Sequence, residues 1–378
     1  MSVSASPSPA ANRPLSSSGA FAAPSSAQLG RSLGRAALAV LCAASLGACA
    51  TLVPTITPLP EMNEAAALRD QVARHEAASV ERATQLSSKA SACGDCQSAS
   101  SALVEGAQAR LETIGGLWEP WPADTPQSLV EMPTPVAEAP LSPAAFAQWL
   151  EATARHDMTS VLAAHRTSPE AVTKEQAVPV VTLAAGRAMD AWALAQAYGV
   201  DLEDSPAQLG TLIERAAQLK AHPSSAPATA WALSAEDLSS EWADLQAQES
   251  FSESLREALA ASPEATAAVR TWDCVAQTLP HMDIAVAPVG DAELYADALL
   301  TRSTELLSKG ATDERQLRCE LEASNASSLA QQVVAADIAL ALSSSEYVSA
   351  LGVELLLADV QQWRSVLSSA DVAALLAR

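Results

Sequence analysis

Basic residues are scarce in this 378-residue chain: 22 lysines and arginines stand against 44 aspartates and glutamates, a formal net charge of −22. Only Lys89, Lys174, Lys220 and Lys309 are lysines. A surface so negative repels phosphate backbones, which argues against a nucleic-acid partner. Anionic lipid headgroups repel it too, so charge alone does not hold it to a membrane. Aromatics are also few, with three Phe, three Tyr and eight Trp. A core of Ala, Leu and Val is expected, with Trp filling the larger gaps. Alternating β-branched runs are missing; Val178–Val181 is interrupted by Pro179, so no sheet is expected. There is no Gly-x-Ser-x-Gly, phosphate loop, dinucleotide fingerprint or His-Glu-x-x-His, and no cofactor is implied. The apolar run at 36–49 falls short of the ~20 residues that span a bilayer.

That short run has another use. Arg31 and Arg35 precede it, and small residues and a cysteine end it. Its length fits the apolar region of an export signal. The closing Leu46-Gly47-Ala48-Cys49 resembles the lipobox of bacterial lipoproteins. The resemblance implies cleavage before Cys49 and diacylation of its sulfur. The chain would then be held by acyl chains at the extracytoplasmic face of the bacterial cell membrane. Arg31 and Arg35 are not adjacent, so a twin-arginine signal is not indicated. Residues 1–30, rich in Ser, Pro and Ala, read as a disordered leader, 31–48 as the signal and 49–59 as a tether. Every acidic residue lies after Cys49.

Helix signals dominate from residue 60. Ser142-Pro143, Ser168-Pro169, Ser205-Pro206 and Ser262-Pro263 each open an alanine-rich segment. Serine accepts from unpaired amides at a helix start, and proline there has no amide to satisfy. Gln208, three residues after Ser205, completes a capping box. Apolar stripes of helical period run through Phe146, Trp149, Leu150, Met158, Val161 and Leu162, and again from Leu351 to Leu367. Helices are predicted at 60–92, 97–114, 143–166, 170–199, 206–221, 235–261, 263–278, 291–309, 313–342 and 345–367. The fold class is all-α, a multi-helix bundle. A Pro-rich loop at 115–142 must run extended across a surface. Breaks at 222–229 and 279–290 are shorter. The first of these admits two helical subdomains, 60–221 and 230–378.

Beyond Cys42 and Cys49, four cysteines remain, and in an exported chain they argue for two disulfides. Cys93 with Cys96, and Cys274 with Cys319, is the expected pairing. The first loop is short and flanked by helices, and the second pair lies on separate helices in one half of the chain. Cys93-Gly94-Asp95-Cys96 also has the spacing of a thioredoxin-type redox pair. No strand precedes it, however, and Asp95 within the loop disfavours a thiolate. One C-x-x-C with two distant cysteines is a poor zinc spacing.

The helical region is similar to ferritin-like domains of some bacterial lipoproteins, whose metal motif is Glu-x-x-His. Here the residues three before each histidine are Val72, Thr153, Leu162, Leu219 and Thr278, none a carboxylate, so no metal is expected. His165, on an apolar stripe, reads as a hydrogen-bonded core histidine. Trp118 and Trp121 stand in a rigid Leu-Trp-Glu-Pro-Trp-Pro segment. They can stack on a glycan, grip a peptide or pack against the bundle. The sequence therefore leads to a lipid-anchored extracytoplasmic protein that binds or scaffolds an envelope protein or glycan. A thiol oxidoreductase using Cys93 and Cys96 and a metal-binding ferritin-like bundle are the alternatives.

Overall fold

The computed structural model describes residues 56–90, 93–202, 208–221, 241–282, 290–319 and 325–377. Residues 1–48, Cys49, the Ser205 cap and the 222–229 break lie outside them. The described residues form an all-α fold. The helices are α1 (Glu64–Lys89), α2 (Gly94–Thr113), α3 (Pro143–Thr167), α4 (Lys174–Tyr198), α5 (Leu209–Ala221) and α6 (Glu241–Ala260). They continue with α7 (Pro263–Thr278), α8 (Ala292–Ser308), α9 (Ala326–Ala341), α10 (Glu346–Gln362) and the short α11 (Ser369–Ala373). Among them no helix is long and apolar enough to cross a membrane.

Local capping chemistry places several of these starts. Ser142 Oγ accepts from Ala145 N and Ser262 Oγ from Ala265 N, each with proline at the next position. Ser168-Pro169 behaves differently from expectation. Ser168 closes α3, and α4 opens at Lys174 behind a reciprocal Thr173–Gln176 capping box. The helix predicted to begin at 313 begins instead at Ala326, where Asn325 and Ser328 cap each other. Cys319, bonded to Cys274 on α7, ties down the chain ahead of that start.

α4 and α10 are buried on nearly all sides, and the charged residues they bury, Arg187 of α4 and Glu354 and Asp359 of α10, are ion-paired. α10 packs on α9 and also on α3, α4 and α5. Gly352 permits its approach to α9, because a Cβ there would lie 2.2 Å from Ala341 N. The main core draws Leu162, Leu183 and Leu212 from the first half of the chain, and Trp272, Leu329 and Leu355 from the second. The regions 60–221 and 230–378 thus share one core, and Pro58–Arg378 forms one compact unit. A smaller cluster of Leu86, Leu103, Phe146, Leu150 and Trp192 lies among α1 to α4. The candidate site lies beside it.

Candidate functional site

Residues 131–140 carry no regular secondary structure and run as a strap beside α1. Two arginines of that helix hold it by its carbonyls. Arg74 donates to Thr134 O, and Arg82 donates to Ala139 O through Nε (3.0 Å) and Nη2 (2.7 Å). Between strap and helix lies a groove of about 830 Å³, inside the ~300–1,000 Å³ range of small-molecule sites. Its α1 wall is Asp70, Gln71, Arg74, His75 and Ala78, which helical spacing puts on one face. Leu59, Met62, Trp118, Trp149 of α3 and the strap supply the remainder.

His75 joins this groove to a buried charge network. Its Nδ1 lies 2.8 Å from Asp157 Oδ2, and its ring meets Trp149 edge-on at 5.7 Å. Asp157 also accepts from Gln71 Nε2 (2.7 Å) and from Arg187 Nη1 (2.7 Å). Arg187 donates through Nε and Nη2 to Glu76 Oε1, and Arg110 Nε donates to Glu76 Oε2 at 3.0 Å. Arg110 Nη1 completes the chain 2.7 Å from Asp190 Oδ2, close enough for an ion pair though poorly aligned for a hydrogen bond. Arg187, Glu76 and Asp157 have no exposed side-chain surface. Burial pushes the Asp157 carboxyl upward, but Arg187 and His75 outweigh it and hold it well below the ordinary carboxylate range. Burial also raises Asp190, with Arg110 opposing.

A second buried cluster lies in the main core. Asp359 accepts from Arg302 Nη1 (2.6 Å), Arg302 Nη2 (3.1 Å) and Tyr295 Oη (2.8 Å). The Arg302 guanidinium lies over the Trp272 ring, 5.3 Å from its centroid. Asp337 on α9 also faces Asp359 and is fully buried. Burial first, and then the Asp359 charge, raise its carboxyl well above the ordinary range. Neither network was legible as a motif.

The expected site residues are distributed unevenly. Trp118 lines the groove and donates its backbone N–H to Asp70 Oδ1 at 2.9 Å. Trp121 does not line it; its indole Nε1 donates to Glu131 O at 2.8 Å. The two indoles therefore form no joint platform, and the groove's second indole is Trp149, which the sequence presented as part of a core stripe. His165 Nδ1 lies 2.8 Å from Val172 O, a satisfied structural contact.

Disulfides join Cys93 to Cys96 and Cys274 to Cys319. The first links the short turn between α1 and α2 to the first turn of α2. Cys93 caps α2, its sulfur accepting from Cys96 N at 3.2 Å, and Cys96 is buried in the first turn. Among the described residues no group of three or more His, Cys, Asp or Glu is arranged to hold a metal ion. Comparison with protein-family profiles, curated proteins and solved structures finds no match.

Proposed function

We propose that this chain is a lipid-anchored, extracytoplasmic binding protein whose ligand enters the groove between α1 and the 131–140 strap. The groove carries the reading: it combines aromatic and proline walls with one histidine oriented from beneath by Asp157. The anchor reading is supported by the order of Arg31, Arg35, apolar run and Leu46-Gly47-Ala48-Cys49, and by four cysteines that pair within an exported chain. The partner belongs to the envelope. Its anionic counterparts are repelled by the acidic surface. In metabolic labelling with palmitate, the wild-type chain is expected to take up label and Cys49→Ala to take up none and remain uncleaved. Unchanged labelling in the variant would remove the anchor from this reading.

Thiol–disulfide exchange is a second reading, and one observation favours it. Cys93 stands half-buried at a helix amino end with Cys96 buried behind it, where a thiolate is favoured. Against it, Asp95 places a carboxylate in the same first turn. The bond is therefore expected to be structural, with a reduction potential below about −300 mV and no acceleration of insulin reduction by dithiothreitol. A potential near −120 mV, typical of dedicated oxidants, together with insulin turnover, would make exchange the function.

A further inference from the structure

The groove's polar residues are almost all occupied by one another. Gln71 gives its amide to Asp157. Asp70 accepts from Arg74 Nε at 2.6 Å and from Trp118 N at 2.9 Å, and Arg74 also donates to Thr134 O. Arg74 keeps a quarter of its side-chain surface exposed, but its charge is already paired with Asp70, so a charged ligand finds no unpaired counter-charge on the α1 wall. Glu138, exposed on the strap, repels anions. A glycan, which needs many hydrogen-bond partners, is poorly served by so few.

His75 is different. Asp157, ionised between Arg187 and Gln71, can only accept, so the proton of a neutral His75 resides on Nδ1 and is donated to it. The His75 side chain retains 18% of its exposure, and it lines the groove. In the neutral ring Nε2 is then the acceptor, on a residue that lines the groove beside Trp149.

We propose that the groove takes a neutral, largely apolar molecule carrying one hydroxyl, which lies against Trp118, Trp149 and the strap prolines and donates its O–H to His75 Nε2. This rests on the reading of the groove as a binding site and is independent of the anchor. A negative result with Cys49→Ala therefore leaves it standing.

Two probes of similar shape test it: 1-naphthol and 1-methylnaphthalene, both neutral at pH 7, in equilibrium dialysis against the purified full chain. Simple partition into apolar surface favours 1-methylnaphthalene. A made hydrogen bond reverses that order, and 1-naphthol is expected to bind about fivefold to thirtyfold more tightly, the equivalent of roughly 1–2 kcal/mol. Ala137→Trp, which crowds the groove from the exposed strap, should weaken both probes at least tenfold. His75→Phe should abolish the preference while leaving 1-methylnaphthalene bound. Should that variant not fold, ¹⁵N spectra of the unmutated chain give the same answer: 1-naphthol should shift His75 Nε2 and 1-methylnaphthalene should not. Equal affinity for the two probes, absence of binding by either, an unmoved Nε2 signal, or unchanged binding in Ala137→Trp overturns the proposal.

Discussion

Arg187→Met is expected to lower the unfolding free energy by about 3–5 kcal/mol, against the ~5–15 kcal/mol that holds a typical domain folded. Methionine keeps most of the volume, so the loss is electrostatic in origin. Arg187 is fully buried and gives Nε and Nη2 to Glu76 and Nη1 to Asp157. Without it, two carboxylates remain out of water with only Arg110, His75 and Gln71 to satisfy them. The large figure is the cost of stranding those charges and not the net worth of the network, since an apolar replacement of a whole buried ion set is often tolerated. Combining Arg187→Met with Glu76→Gln and Asp157→Asn should therefore recover more than half of the loss. Urea unfolding at pH 7 measures both. A loss under about 1 kcal/mol in the single variant, or no recovery in the triple one, would contradict the network described here.

Acid gives the same network a second signature. The folded pKa of Asp157 is depressed, so its contribution is complete above the unfolded value near 4 and is lost as pH falls toward the folded value. Removing Arg187 removes the main depressing charge. The wild-type chain should lose more stability between pH 4 and pH 2 than Arg187→Met does.

The all-α fold was legible because its signals are local. Ser142-Pro143 and Ser262-Pro263 satisfy helix amides within three residues, and the Leu351–Leu367 stripe reports a buried face of α10 and its continuation. Ser168-Pro169 was misread because the same pair also terminates a helix, and a better cap stood five residues on at Thr173. Residues 313–319 were misread as helix because a covalent tie at Cys319 is invisible to periodicity. The charge network was not legible at all: Arg187 meets Glu76 across 111 positions and Asp157 across 30. A weak signal was present in α4, where Arg187 and Asp190 interrupt an otherwise apolar run. Buried charge of that kind requires partners, though it does not name them. The groove was half visible. Trp118 stood out in its Pro-rich segment, but the strap is held by Arg74 and Arg82, whose carbonyl partners carry no sequence signature.

Asp337→Asn is expected to stabilise the protein at pH 7. Two carboxyl groups face each other in the main core, and Arg302 and Tyr295 are both committed to one of them, Asp359. Neither oxygen of Asp337 receives a well-aligned hydrogen bond, although the Trp272 indole N–H lies close enough to oppose the rise of its pKa weakly. A protonated Asp337 resolves the clash, because its own O–H can donate to Asp359. Its folded pKa is therefore raised above the unfolded value. The stability it allows is complete below about pH 4 and is lost as pH rises toward the folded pKa. Asparagine matches the shape of the protonated acid, donates an N–H to Asp359 and never ionises. The variant should thus match the wild type at pH 4 and exceed it increasingly above. The gap can widen by at most about 1.4 kcal/mol for each pH unit. Urea unfolding at pH 4, 5.5 and 7 follows it directly. A gap that stays constant with pH, or a variant less stable than the wild type at pH 7, would mean that Asp337 is ionised in the fold and that some donor other than its own proton holds it against Asp359.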